Sequence, residues 1–139
     1  MQLQKQQTGM STLGVVFIIL VVVAIVFTAF KVVPPYAENR YITSALKSLA
    51  RNNPDLFSMS PTEIRSQLTK FYTVNNVNAE GRKNIDIDKH SSRVVITIAY
   101  EERIDFIKNI DLVFSFNNQL DSSAPEQCCT PLEQNLSSD

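Results

Sequence analysis

The feature that most constrains this chain is an uncharged apolar run from Leu13 to Phe30, LGVVFIILVVVAIVFTAF. Gly14 and Thr28 are its only members that are not hydrophobic. As an α-helix with a rise of about 1.5 Å per residue, the run is roughly 27 Å long, which is close to the thickness of the hydrocarbon core of a bilayer. The sequence therefore predicts a transmembrane helix over residues 13–31.

Two other interpretations of the apolar run were weighed. A cleaved secretory signal has an apolar core of about 7 to 15 residues that ends at a small-x-small site. The nearest such site here, Val22-Val23-Ala24, is embedded in apolar sequence. The core helix of a soluble protein is the other interpretation, but the remainder of the chain is too small to cover a helix that is apolar all round. We therefore favour an uncleaved anchor.

Length and charge predict how the rest of the chain is organised. Residues 1–12 form a leader, and residues 32–117 are enough for one small domain. Residues 118–139 contain four acidic and no basic side chains, and their composition predicts a flexible acidic tail. The formal charge of the whole chain is −1, which leaves +3 on the first 117 residues. Such a small, dispersed excess argues against a nucleic-acid-binding face.

The flanks of the apolar run give conflicting indications of topology. A count of basic residues places the domain in the cytoplasm, because the N-terminal flank offers only the amino group and Lys5. The C-terminal flank has more basic residues: Lys31, Arg40, Lys47 and Arg51. A short polar N-terminal segment before a long apolar run is, however, typical of a signal anchor. We expect the N-terminus in the cytoplasm and the domain outside.

The sequence after the anchor predicts two helices. Pro34-Pro35 breaks or bends the first helix, which can restart at Pro35 and run to about Arg51. Ala37, Tyr41, Ala45 and Leu49 recur there every four residues, flanked by Ile42, Leu46 and Ala50. A second helix over residues 61–72 begins with an N-cap, Ser60, and Pro61. Its stripe of Ile64, Leu68 and Phe71 fits core packing better than a partner-binding face.

The third part of the domain has the period of β-strands. Ile85 and Ile87 alternate with Asp86 and Asp88, and a polar turn follows at residues 89–92. Alternation then resumes from Val94 to Tyr100 and can extend to Phe106, and a third strand runs from Ile110 to Asn117. The predicted fold is α+β, with a three-stranded antiparallel sheet whose apolar face the helices cover.

Residues that could carry chemistry form no recognisable catalytic pattern. His90, the single histidine, lies in the predicted turn, where a solvated role is far commoner than that of a general base. Asp86 and Asp88 share one strand face, which the alternation assigns to solvent, and Glu101 and Glu102 point to opposite faces. We therefore predict no catalytic, cofactor-binding or metal-binding residues, and we expect that the protein is not an enzyme.

Cys128 and Cys129 are the conspicuous feature of the predicted tail. In an oxidising compartment they can pair between molecules or, under strain, with each other. Metal binding needs further ligands, and none is near. We expect two incidental exposed thiols.

The segment Gly9 to Gly14, GMSTLG, resembles the processing site of type IV prepilins, with a glycine before the cleaved bond and a hydrophobic residue opening the helix. Prepilins usually have Lys or Arg before that glycine, where this chain has Thr8. They also have a glutamate at the fifth mature position, where this chain has Gly14. Since that glutamate is linked to pilin assembly, its absence argues against a polymerising subunit.

A wider resemblance covers residues 8–117. The run GMSTLGVVFIILVVVAIVFTAFKVVPPY, followed by SALKSLA, SPTEIRSQL, the NNV of FYTVNNV and IDLVFSF, is similar to a proteobacterial family of small single-pass membrane proteins of unknown function. In that family the gene often lies beside those for signal peptidase I and ribonuclease III. The resemblance implies a Gram-negative inner-membrane protein with a pilin-like domain in the periplasm.

Two functions remain open at this point. The first is a non-enzymatic accessory protein that contacts the lipid bilayer and binds another envelope protein, such as signal peptidase I. The second is a minor pilin or pseudopilin-like subunit of a type IV filament or secretion system. Cleavage after Gly9 is expected only for the second function. The apolar run has no G-x-x-x-G pair that would indicate helix dimerisation.

Overall fold

The computed structural model describes residues 11–131, and the chain divides into two compact units between Val33 and Pro34. The first helix, α1, is Thr12–Asn52, and the second, α2, is Pro61–Val74. The strands are β1, Ile85–Lys89; β2, Val94–Ile107; and β3, Ile110–Asp121. Three short 3₁₀ turns complete the described part: Leu56–Ser58, Glu80–Arg82 and Pro125–Gln127.

In the first unit, α1 carries the apolar run. Part of this helix is long and apolar enough to cross a membrane, and none of that stretch is buried by the protein itself. An anchor and a signal sequence both have these properties. Both Pro34 and Pro35 lie inside α1, so the helix continues past the two prolines rather than ending there. Each proline removes one main-chain hydrogen bond, which the flanking turns tolerate.

In the second unit, α1 contributes one face to the core. Its buried residues include Ile42, Ala45, Leu46 and Leu49, at the spacing of a helix stripe. The predicted row was centred differently, and its members Ala37 and Tyr41 are exposed. A strict four-residue repeat rotates gradually around a helix of 3.6 residues per turn, so only part of such a row can face one core.

The second helix starts where its sequence signals predict. The Ser60 hydroxyl accepts a hydrogen bond from the Glu63 N–H at 3.2 Å, and Pro61 occupies the first turn. The helix ends at Val74, two residues beyond its predicted end. Ile64 and Leu68 are buried as expected, together with Tyr72, whereas Phe71 is half-buried.

The sheet is antiparallel with the order β1-β2-β3, which confirms the predicted α+β fold. Ile87 pairs with Ile96, and Tyr100 pairs with Phe116. β1 covers only the first five residues of β2, Val94 to Ile98. Beyond them, residues 99–117 of β2 and β3 pair only with each other in the described structure and form an extension that we call the β2–β3 arm.

The third strand is longer than predicted. β3 continues past Asn117 to Asp121, and Leu120 is completely buried. The chain then folds back, so that Gln119 forms a β-bridge with Cys129. The prediction of an unstructured tail from residue 118 is thus wrong for residues 118–131, whereas residues 132–139 lie outside the described part. The polar composition of this segment led to the wrong prediction. Its two buried polar residues, Asn118 and Asp121, form hydrogen bonds with residues far away in the sequence.

Leu120 provides a test of this extended strand. Leu120→Ala removes a fully buried side chain and should lower the free energy of unfolding by about 2–5 kcal/mol. Ile110→Ala, on the same strand but 56% exposed, should change it by less than about 1 kcal/mol. Denaturant unfolding of the detergent-solubilised chain measures both variants. Equal effects would contradict the packing of the end of β3.

The buried carboxylate of Asp121 closes the sheet through contacts with two exposed residues, Arg93 and Ser123. Its carboxylate accepts hydrogen bonds from the Ser123 hydroxyl at 2.6 Å, the Ser123 N–H at 2.8 Å and the Arg93 guanidinium at 3.1 Å. Burial by itself would raise the pKa of Asp121, but the bonds from Ser123 and the charge of Arg93 outweigh it, so the pKa is lowered.

A lowered carboxyl pKa makes stability depend on pH. The contribution of Asp121 is complete above its ordinary pKa of 3.8 and is lost as the pH falls through the lower folded-state value. We expect Asp121→Asn to cost about 1–3 kcal/mol of unfolding free energy at pH 7, and less as the pH falls below 3.8 through the lowered pKa of Asp121. Asp111→Asn, which removes an exposed pair with Arg103 at 3.8 Å, should cost under about 1 kcal/mol. A pH-independent cost at Asp121 would contradict the ionic role.

Candidate interaction surface

The residues that the sequence singled out for possible chemistry are not brought together. His90 is exposed in the β1–β2 turn, as predicted. Its backbone N–H donates a hydrogen bond to the Arg93 backbone carbonyl at 2.8 Å. Asp86 and Asp88 are both exposed, which confirms their assignment to the solvent face of β1. Across residues 11–131, the structure contains no group of three or more His, Cys, Asp or Glu side chains that could hold a metal ion.

The two buried tyrosines carry the largest pKa changes. The Tyr100 hydroxyl donates to the Asn39 side-chain oxygen at 3.3 Å. Burial, followed by the nearby carboxylates of Glu102 and Glu38, raises the pKa of Tyr100. Burial, followed by Tyr100, raises the pKa of Tyr72, whose hydroxyl has no hydrogen-bond partner among the described residues. Neither hydroxyl would ionise near neutral pH, so these two groups favour structure over acid–base chemistry.

The surface that could bind a partner is an open groove between α1 and α2, which we call the α1–α2 groove. It has a volume of about 430 Å³. Its apolar lining comes from both helices: Ala45, Leu49, Leu68, Phe71 and Val74. Polar side chains complete the lining: Ser48, Asn52, Gln67, Lys70 and Asn75.

Side-chain amides fix the spacing of the two helices at this groove. The Asn53 amide nitrogen donates to the Gln67 side-chain oxygen at 2.9 Å and also to the Leu49 carbonyl at 2.9 Å. The Gln67 amide nitrogen lies 3.4 Å from the Asn53 oxygen, which makes the contact reciprocal. The end of α1 is thereby tied to the middle of α2, and the groove is held by polar contacts that do not fill it.

The C-terminal end of α2 leaves one apolar residue, Val74, exposed to solvent. The Asn75 backbone N–H and side-chain amide both donate to the Phe71 carbonyl, and the helix ends at Val74. Val74 is 84% exposed at the margin of the groove. The sequence did not indicate this residue, because the helix was predicted to end at residue 72 and Phe71 was assigned to the core.

One basic side chain lines the α1–α2 groove, and two more lie next to its lining residues in the sequence of α1. Lys70 is the one charged side chain among the described residues that line it. Lys47 and Arg51, each one position before a lining residue of α1, line a second groove with Pro125, Glu126 and Cys128. An apolar segment flanked by acidic residues would complement this arrangement.

Cys128 and Cys129 are not the exposed free thiols that the sequence predicts. They are joined to each other by a disulfide and are half-buried against the core, so the prediction of two exposed thiols is wrong. The Cys129 sulfur lies 3.6 Å from the Thr43 carbonyl oxygen, and the Cys129 carbonyl accepts from the Gln119 N–H at 3.2 Å. The sequence could not indicate this position, because it depends on β3 extending to Asp121.

Comparison with known proteins gives one match. A family model described as "Domain of unknown function (DUF4845)" matches residues 31–116, which is more than half of the chain. The curated proteins and the solved structures give no match. The matched range starts at Lys31 and ends inside β3, so it contains both helices' contributions to the groove. The chain therefore belongs to the family defined by this domain of unknown function.

Proposed function

We propose that the protein is a non-enzymatic, membrane-anchored interaction protein whose α1–α2 groove binds a segment of another envelope protein. The observation that carries this proposal is the apolar surface left open at the groove, above all Val74 with 84% of its surface exposed. Exposed apolar area lining a concave surface is typical of protein-binding sites.

The dimensions of the groove favour a helical partner segment. The α1 side of the groove runs from Ala45 to Asn52, which is about 10 Å, or two helical turns. An amphipathic helix presents apolar residues over the same length and can lay that face between two helices. With Lys70 at the margin, the partner helix we propose has acidic residues beside its apolar stripe.

The apolar run supports the proposed location. We infer that residues 13–31 are an uncleaved anchor in an inner membrane, with the N-terminus in the cytoplasm and the domain in the periplasm. The domain begins at Pro34, directly after the run, so its partner would have to lie near the membrane surface. The resemblance found in the sequence makes signal peptidase I the first partner to test.

Photocrosslinking in the native membrane tests the groove. A photoreactive residue at Ser48, in the groove lining, should give a specific adduct, whereas one at Thr73 should not. Val74→Asp should weaken that adduct, because it places a charge on the exposed apolar side chain that a partner would cover, at a cost of about 1–3 kcal/mol of binding. Mass spectrometry of the adduct identifies the partner.

The matched control for this substitution is Thr73→Asp, which adds the same charge at the same end of α2 but outside the groove lining. It should leave the Ser48 adduct unchanged. Equal loss with Thr73→Asp and Val74→Asp would point to destabilised α2 rather than a binding surface. An adduct that survives Val74→Asp would contradict the proposal.

The second candidate is a minor pilin or pseudopilin-like subunit. It is favoured by α1, a long helix whose second half contributes buried residues to a domain with an antiparallel sheet. Residues 9 and 10, where prepilin cleavage would occur, lie outside the described part of the chain.

Intact mass of the protein purified from its native membrane separates the two functions. We expect a full-length mass, allowing for loss of the initiator formyl group or methionine, because the glutamate linked to pilin assembly is replaced by Gly14. A mass corresponding to residues 10–139 would instead favour the filament subunit.

A further inference from the structure

The disulfide between Cys128 and Cys129 is not a long-range cross-link. It joins residues that are adjacent in the sequence, so the loop that it closes is the shortest that a disulfide can close. The stabilisation that a disulfide gives by constraining the unfolded chain increases with the length of that loop. The bond also connects no two helices or strands with each other. Stabilisation of the domain therefore does not explain its presence.

The main chain around the disulfide is held by contacts that do not involve the bond between the sulfurs. The Cys128 backbone N–H donates to the Pro125 carbonyl at 3.3 Å, and the Gln119 backbone N–H donates to the Cys129 carbonyl at 3.2 Å. The Cys129 sulfur lies 3.6 Å from the Thr43 carbonyl oxygen of α1. Opening the disulfide breaks none of these contacts, so the fold is compatible with both the oxidised and the reduced form.

One of the two cysteines lines an open groove, which we call the disulfide groove. The groove has a volume of about 410 Å³ and is lined by Lys47, Ala50, Arg51, Pro125, Glu126 and Cys128. Cys129 is not among these lining residues, and its sulfur lies against α1. A solute in the groove can therefore reach the Cys128 sulfur more readily than the Cys129 sulfur. Disulfides that solution thiols can reach are the ones that undergo exchange.

The charged side chains of the disulfide groove are mainly basic. Lys47 and Arg51 lie about one helical turn apart on α1, and both are exposed. Glu126 is the one acidic residue among the described residues that line the groove, so two basic and one acidic side chain give a formal charge of +1. Neighbouring cations favour the thiolate form of a cysteine and attract anionic solutes. The groove thus combines an accessible sulfur with charges that suit an acidic reactant.

We propose that Cys128 and Cys129 form a redox site that undergoes thiol–disulfide exchange with a small thiol bearing a carboxylate group. The thiolate of this reactant attacks the Cys128 sulfur and forms a mixed disulfide with it. The electron pair of the broken bond goes to the Cys129 sulfur, which takes up a proton from water. The Cys129 thiol that results is placed to donate to the Thr43 carbonyl oxygen.

A second molecule of the acidic thiol completes the reaction. Its thiolate attacks the sulfur of the first molecule, and Cys128 leaves as a thiolate in the groove that Lys47 and Arg51 line. Two thiol molecules are thereby oxidised to one disulfide, and the disulfide of the protein is reduced to two thiols. The proposal is independent of the α1–α2 groove and of any partner bound there.

Two thiols of similar size and opposite charge test the selectivity: 3-mercaptopropionate and cysteamine. Each is added to the full chain, purified in detergent without reductant, and the released cysteine thiols are alkylated and counted by intact mass over time. The test variant combines Lys47→Gln with Arg51→Gln, two exposed positions of the disulfide groove. Lys70→Gln is the matched control, because it removes a positive charge from the α1–α2 groove instead. Comparing each variant with the unmodified chain for the same thiol cancels the intrinsic reactivity of that thiol.

We expect the double variant to be reduced several-fold more slowly by 3-mercaptopropionate but no more slowly by cysteamine, and Lys70→Gln to change neither rate. An unchanged rate of the double variant with 3-mercaptopropionate would overturn the proposal. So would resistance of the unmodified chain to both thiols, or free cysteine thiols before any thiol is added.

Single-cysteine variants test which sulfur reacts. The probe is 3,3′-dithiodipropionate, the disulfide of 3-mercaptopropionate, which forms a mixed disulfide with a cysteine thiolate and releases one 3-mercaptopropionate. Cys129→Ser, which keeps the cysteine in the groove, should form the mixed disulfide several-fold faster than Cys128→Ser. Equal rates, or the reverse order, would contradict the assignment of Cys128 as the reactive sulfur.

Discussion

The domain depends on one face of α1. This face contributes four buried residues to the core: Ile42, Ala45, Leu46 and Leu49. The same core includes residues of α2 and of all three strands. The same helix is apolar all round before Lys31 and apolar on one face after Pro35. One helix therefore combines an apolar stretch that is long enough to cross a membrane with a single stripe that packs against the core.

Polar contacts fix the register of that packing. The Asn39 side-chain oxygen accepts from both Asn118 and Tyr100, which connects α1 to two neighbouring strands at one point. At the other end of α1, Asn53 and Gln67 connect it to α2. Each such bond contributes only about 0.5–1.5 kcal/mol net, but leaving one buried partner unpaired would cost more. The amides therefore select one alignment of helix and sheet among those that apolar burial alone would allow.

Local patterns in the sequence were sufficient for most elements. The cap at Ser60, the alternation on either side of His90 and the length of the apolar run predicted α2, the hairpin and the first half of α1 close to their observed positions. The end of β3 was not predictable in this way, because Asn118 and Asp121 are buried through bonds to residues far away in the chain.

The candidate sites were less visible than the fold. No periodic signal distinguishes Val74, an exposed residue at the end of α2, from a core residue, and the half-buried position of Cys128 follows from the unpredicted strand extension. The sequence also did not show that β1 would be too short to accompany the far ends of β2 and β3. In each case the sequence did not predict how exposed a residue is, because its exposure depends on where another helix or strand ends.

The contacts that hold the domain's part of α1 are spread along its length. The Tyr36 ring contacts Phe114 and Phe116 near one end, whereas the α1–α2 groove is lined by residues around Leu49, about 20 Å further along the helix axis. Because Val74 lies at the groove and far along the helix from these aromatic contacts, a substitution there should leave the contacts between α1 and β3 in place.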